Sequence, residues 1–285
     1  MALPRLAVDL SGGLIRVVEG ALGGPLRCGS GGTAAGSIVG GRVIDASAVA
    51  AALRQLLART EIGQTRAMIA ASDAVATFRV FNFPGDTSDR DVDAYVNRQL
   101  LLDPERIEVK WVDIRRGAGH RPVYAAAWDR SLVKGITEAA RLAGLEAAVI
   151  ELKSASLARV VAAPSYAILE VSPESGEIFL VDGHLPQVWH SFEISAKVGE
   201  DLTAALAGPL QSVLRFYKGR PQSIFGPSSP ILVSGEPVVA QSVMSALSKL
   251  VGHPVEPVPA PARVARDVRH GAYLTCLGLL MRRTV

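Results

Sequence analysis

A strand-turn-strand pattern written twice constrains this chain more than any other feature. Its two copies, Leu6 to Gly20 and Ala167 to Gly183, each place an apolar strand carrying one carboxylate, Asp9 or Glu170, before a turn of small residues. A second apolar strand follows and stops at an acidic residue and a glycine, Glu19-Gly20 in one copy and Asp182-Gly183 in the other. Apolar runs flanking a Ser and Gly turn predict a β-hairpin. One hairpin of this kind is commonplace, but two of them a domain's length apart predict a duplicated fold, and 285 residues suffice for two cores. Such turns can let backbone N–H groups approach a phosphate, and a carboxylate at their base can hold a metal-bound water.

With 49% hydrophobic and 20% charged residues the chain is globular. Its longest apolar runs, such as Tyr273 to Met281, fall short of the roughly twenty residues a membrane span needs, and the N-terminal residues do not read as a signal peptide, so a cytoplasmic protein is predicted. A net charge of +3 with dispersed Lys and Arg argues against nucleic acid. Cys28 and Cys276 lack metal-ligand spacing, and the five histidines are scattered, so no metal site and no catalytic residue is predicted. Neither a nucleophile elbow nor the Lys-Ser or Lys-Thr of a P-loop is present.

Between the hairpins the pattern alternates strands and helices. Residues 27–41 hold a third strand or a loop, Asp45 or Ser47 caps a helix with Val49, Ala52, Leu53, Leu56 and Leu57 inward, and Arg66 to Ala71 is a buried strand. Residues 75–144 then read as an inserted βαββα unit: a strand ending at Pro84-Gly85, a helix with a Ser88 and Asp91 capping box, two strands, and a helix from Ser131 closed by Gly144. Beyond the second hairpin, Glu200 to Ala207 and Pro209 to Tyr217 read as two helical segments, with Val213, Leu214 and Phe216 as apolar positions.

Several segments, in this order, resemble one family. They are Asp9 to Val18, Val80-Phe81-Asn82-Phe83-Pro84, Asp103-Pro104-Glu105, Arg141 to Leu145, Ser154 to Arg159, Phe192-Glu193-Ile194 before Gly199, Ile231 to Gly235, Leu250 to Val255, and Gly278 to Arg283. Together they look like the PilM family of type IV pilus assembly proteins, relatives of the division protein FtsA in the actin-like ATPase superfamily. The resemblance implies an α/β, actin-like (ribonuclease H-like) duplicated two-domain fold with an inserted subdomain of the FtsA/PilM type. The expected boundaries are 1–74 plus 145–162 for the first domain, 75–144 for the insert, 163–195 plus 229–285 for the second domain, and 196–228 for a reduced fourth subdomain.

The resemblance also implies a nucleotide site, with Asp9, Ser11, Gly12, Gly13, Arg16, Glu170, Ser172 and Gly235 as candidates. Departures weaken it. Arg16 stands where the family has Lys, and an Arg fork is not a Lys point charge. The second turn reads Glu170-Val171-Ser172, and Pro173 removes a backbone donor. Gly235-Glu236 replaces a Gly-Gly pair. The expectation is therefore a degenerate site that binds no cofactor, or ATP with magnesium only weakly, in a non-catalytic scaffold at the inner face of the cytoplasmic membrane. The implied partner is a PilN-like bitopic membrane protein whose N-terminal tail docks near Val80, Phe83 and Tyr95; self-association stays open. The alternatives are a working ATPase of the same fold and, behind it, a sugar or acetate kinase of the superfamily.

Overall fold

The computed structural model describes residues 5–100, 103–114, 119–194, 202–220, 223–235, 239–261, 263–264 and 269–282. Gly199, Glu200, Glu236 and Arg283, used in the sequence reading, lie outside the described residues. The chain divides into two compact units, one of Arg5–Glu19 and Gly29–Lys153, the other chiefly of Ser154–Val285.

In the first unit, β1 (Arg5–Asp9) and β2 (Leu14–Gly20) form the expected hairpin. The stretch 27–41 supplies both things predicted for it: most of β3 (Leu26–Gly32), at the edge of the same sheet, and then the short β4 (Ile38–Val39), which pairs with β5 (Arg42–Val43). Of the two predicted caps for α1 (Ala46–Arg59), Asp45 serves: its carboxylate accepts the Ala48 N–H at 2.9 Å, satisfying one donor the first turn leaves unpaired. Val49, Leu53, Leu56 and Leu57 of α1 are buried. The strand β6 (Arg66–Ala71) lies parallel to β1 in a register running from Leu6 beside Ala67 to Asp9 beside Ala70.

The inserted segment makes its own antiparallel sheet from β7 (Ala76–Pro84), β8 (Ile107–Asp113) and β9 (His120–Asp129), in the order β7-β9-β8. Its helix α2 (Asp89–Leu100) opens on the predicted capping box, with the Asp91 N–H donating to Ser88 Oγ at 3.2 Å and the Ser88 hydroxyl donating to Asp91 Oδ2 at 2.7 Å. Val92, Val96 and Leu100 of α2 pack on Phe81, Val123, Ala125 and Ala127. The next helix, α3 (Arg130–Leu142), differs from expectation. Its cap is Asp129, which accepts the Ser131 N–H at 2.8 Å, and its buried face of Leu132, Ile136, Ala139 and Ala140 joins the α1 core instead of the α2 core. The reason is the stripe itself: spaced at i, i+4 and i+7, it needs a partner helix, and α1 offers one. Gly144 then turns the chain at φ +82°, as predicted, into β10 (Glu146–Leu152) and α4 (Lys153–Leu157).

The second unit repeats the plan with β11 (Ser165–Val171), β12 (Ser175–Asp182), β13 (Leu185–Glu193), α5 (Leu202–Tyr217), β14 (Ile231–Gly235), α6 (Gln241–Val251) and β15 (Val255–Pro257), closed by α7 (Leu274–Leu280). The sheet orders, β10-β6-β1-β2-β3 and β15-β14-β11-β12-β13, are the same order, with α1 matching α5 and α3 matching α6. Both hairpins therefore sit in equivalent places of separate sheets, which is the predicted duplication. Where two helical segments were predicted around Pro209, one sixteen-residue helix runs through it. An interior proline costs about 3 kcal/mol. Leu206, Ala207, Leu210, Val213 and Tyr217 are buried on both sides of it, and that continuous stripe offsets the cost. Phe216, predicted among the apolar positions, is 65% exposed because it falls off this stripe.

The acidic residues that end the two hairpins also play one role twice. Glu19 Oε1 accepts the Gly63 and Gln64 N–H groups at 3.2 and 3.0 Å. Asp182 accepts from Tyr217 Oη at 2.9 Å, Ser223 Oγ at 2.7 Å and the Ile224 N–H. In each half a buried carboxylate ties down the loop between the following helix and the next parallel strand.

Candidate functional site

The first hairpin brings four of the candidate residues, Asp9, Ser11, Gly12 and Gly13, into one turn. Asp9 ends β1 at 1% exposure because its neighbours on both sides are strands. Its Oδ1 accepts the Ser11 N–H at 3.0 Å and the Ser11 hydroxyl at 2.6 Å, which tightens the turn. Its Oδ2 accepts no hydrogen bond; the nearest cation is Arg16 Nη1 at 3.7 Å. A buried carboxylate oxygen without a donor is costly unless a ligand completes it. A Cβ on Gly12 would meet nothing within 4 Å, and one on Gly13 only the Thr33 hydroxyl at 3.7 Å, so the room over this turn faces outward. Thr33, which sequence reasoning missed, pins the turn through its N–H and hydroxyl, at 2.8 and 3.1 Å from the Gly13 carbonyl. Arg16 is buried beside Asp9, so a metal-bound water on Oδ2 would have a guanidinium as its neighbour.

The second hairpin offers less. Glu170 holds the position equivalent to Asp9, beside Ser234 on β14 and opposite Glu177 on β12. The Ser172 N–H is already donated to the Ser175 carbonyl at 2.8 Å, and Pro173 has none, so these two positions offer a ligand no backbone donor. Gly235 has φ +102°, and a Cβ there would lie 2.2 Å from the Val171 carbonyl oxygen: the glycine is required by the approach of β14 to β11. Ser234 Oγ is buried without a partner. The unpaired Asp9 oxygen and the open glycines of the first turn fit a magnesium-bound phosphate.

The three partner-contact candidates do not form one surface. Successive residues of a strand face opposite sides. Phe83 lies on the α2 side, where Tyr95 of α2 meets it edge-on at 5.4 Å, within the cluster that includes Phe81. Val80 is on the other side, in register with Tyr124 and, one strand further, with Val112. There Phe78 stacks on Tyr124 at 6.2 Å, and Val112 is 59% exposed. Burial first, and then the charge of the Asp73 carboxylate, push the Tyr124 hydroxyl's pKa well above its ordinary value.

The base of the insert is fastened at Asp129. Besides capping α3, it accepts from Arg106 Nε at 2.6 Å and pairs with Arg42 of β5 at 3.2 Å. Hydrogen bonds from Ser131 first, then Arg106, hold its carboxyl far below the usual carboxylate range. Elsewhere, His253 Nδ1 and His270 Nε2 each lie 3.0 Å from a backbone carbonyl, and among the described residues no cluster of His, Cys, Asp or Glu is arranged to hold a metal. No described helix is long and apolar enough to cross a membrane.

No protein-family model and no curated protein sequence matches the chain. Solved structures do. A chain of a PilM–PilN type IV pilus biogenesis complex superposes with a TM-score of 0.76 at 20% identity, over 98% of both chains. A Bacteroides thetaiotaomicron protein of unknown function with an actin-like ATPase fold gives 0.52 at 12% identity, over 98% of this chain and 96% of its own. The cytoplasmic domain of EpsL, an inner membrane component of the Vibrio cholerae type II secretion system, gives 0.51 at 11% identity, over 87% and 94%. With the repeated sheet order, these likenesses establish the actin-like fold.

Proposed function

We propose that this chain is an actin-like scaffold of a type IV pilus or type II secretion assembly platform, held at the cytoplasmic face of the inner membrane by docking the N-terminal tail of a PilN-like bitopic protein. The observation that carries this reading is the end-to-end superposition on a chain of the PilM–PilN complex. The docking surface in this proposal is the face of the inserted sheet opposite α2, reached through the exposed Val112 and the half-buried Phe78 and Val80; Phe83 and Tyr95 belong to the other side. Both β7 and β8 are sheet edges, so an extended tail would gain main-chain hydrogen bonds as well as these apolar contacts.

The test is calorimetric titration with a peptide copied from the cytoplasmic N-terminus of the neighbouring bitopic protein. Micromolar affinity, about −8 kcal/mol, is expected. Val80→Asp should weaken it at least about tenfold, since a carboxylate would be desolvated against the tail. Unchanged affinity in that variant would remove this face from the proposal. Excising residues 75–144 is not a usable control, because it would strip the α3 stripe from the core of the first sheet.

The unpaired Asp9 oxygen favours a second reading, in which the first hairpin binds magnesium ATP. Because Pro173 has no N–H and the Ser172 N–H is already donated, we expect a dissociation constant no tighter than about 0.1 mM, roughly −5.5 kcal/mol, and hydrolysis at background. A low-micromolar constant with turnover that vanishes in Asp9→Ala would make the chain a working ATPase instead.

A further inference from the structure

A second concave surface lies at the amino end of β14, at the opposite end of that strand from Gly235. It is a cavity of about 410 Å³ where the carboxyl ends of α5 and α6 meet, with Leu214, Phe225 and Val251 as apolar lining and Gln211, Arg215 and Lys218 as polar lining. Carboxyl ends of helices ordinarily present bare carbonyls and a partial negative charge. Here three of those carbonyls are occupied. The Leu214 carbonyl takes the Lys218 N–H, that of Leu250 takes the Gln211 side-chain amide, and that of Ser248 takes the Gly252 N–H.

The charged side chains of the lining are positive. Arg215 and Lys218 are exposed and have no acidic partner among the described residues, and no carboxylate lines the cavity. Asp182 beneath it is saturated by Tyr217, Ser223 and Ile224. The floor carries the Phe225 and His253 rings, 5.3 Å apart. His253 Nδ1 faces the Ser229 carbonyl at 3.0 Å, an acceptor only, so Nδ1 donates to it. Leu250 and Ile224, both beside lining residues in the chain, are 54% and 57% exposed. Apolar side chains left in water around a cavity mark a protein contact, and the unpaired cations set its sign.

We propose that this cavity docks an acidic segment of a second protein, seating one aliphatic or aromatic side chain between the two helix ends with flanking carboxylates on Arg215 and Lys218. The site is separate from the inserted sheet, so the scaffold would bridge two partners. The probe is a fluorescein-labelled Glu-Glu-Phe-Leu-Glu-Glu peptide, followed by anisotropy on the full chain, with its Gln-for-Glu version as control. Expected are a dissociation constant of tens of micromolar, weakening as salt rises, and at least about a tenfold loss in Arg215→Glu/Lys218→Glu and with the Gln peptide. Lys218→Ala, which removes one exposed charge only, should lose a smaller part. Absence of binding, equal binding of the two peptides, or binding unaffected by the charge reversals each overturns the proposal. So does sedimentation showing a dimer of the unmodified chain that the double variant abolishes, since the occupant would then be a second copy.

Discussion

Asp182→Ala is expected to cost about 3–5 kcal/mol of folding stability, measured as the shift in urea denaturation. The carboxylate is buried and accepts from the Tyr217 hydroxyl, the Ser223 hydroxyl and the Ile224 N–H. Removing it orphans a buried phenol and a backbone donor together, and the penalty of unmet groups exceeds the net worth of the bonds themselves. Tyr217→Phe, which deletes one bond and strands little, should cost about 1 kcal/mol, and Ser223→Ala, which also removes the acceptor of the Phe225 N–H, about 1–2 kcal/mol. Glu19→Ala, the counterpart in the first half, frees two backbone donors and should cost about 2–3 kcal/mol. An Asp182→Ala loss within about half a kcal/mol would show that the loop after α5 is held by something else.

Acid should loosen the base of the insert before it unfolds the two main sheets. The Asp129 carboxyl is held below its unfolded value, ordinarily about 3.9, so its contribution is complete above about pH 4 and is lost as pH falls through the folded value. Its partners decide the size. Arg106 and Arg42 are 65% and 35% exposed, so their pairing is screened and adds little. The cap on α3 and the burial of the carboxylate carry most of it, and Asp129→Ala should cost about 2–3 kcal/mol at neutral pH. The check is denaturation of parent and variant between roughly pH 2 and 7, where the gap should close toward the acid end. A gap constant across that range would mean that Asp129 acts by packing alone.

Local chemistry was legible in the chain; choices between partners were not. The two hairpins, the Asp45 cap, the Ser88 and Asp91 box and the Gly144 stop are each written within a few residues, and each stands where its residues put it. The α3 stripe was equally visible, but a stripe does not say which core it meets, and the helix goes to α1. Pro209 was read as a break because the local rule favours one, and tertiary burial along both sides of α5 overrode it. In the candidate site, Asp9, Ser11, Gly12 and Gly13 come together because one turn contains them. Thr33 arrives from twenty residues away through the edge of the sheet, with no local signal to announce it. Val80, Phe83 and Tyr95 show the reverse case: proximity along β7 and α2 disguised a division that strand alternation imposes.

The inserted sheet enters and leaves the first unit through neighbouring strands, since Ala76 at the start of β7 pairs with Trp128 at the end of β9. Directly opposed residues of antiparallel strands stand only about 5 Å apart. A surface loop could bridge such a gap, so the stretch 76–129 is a cassette: its ends close on each other, and its α2 core is its own. Lineages could exchange, trim or graft this cassette without reopening the sheet of β1 and β6. A chain built this way can alter the surface of that sheet while inheriting unaltered the body on which it stands.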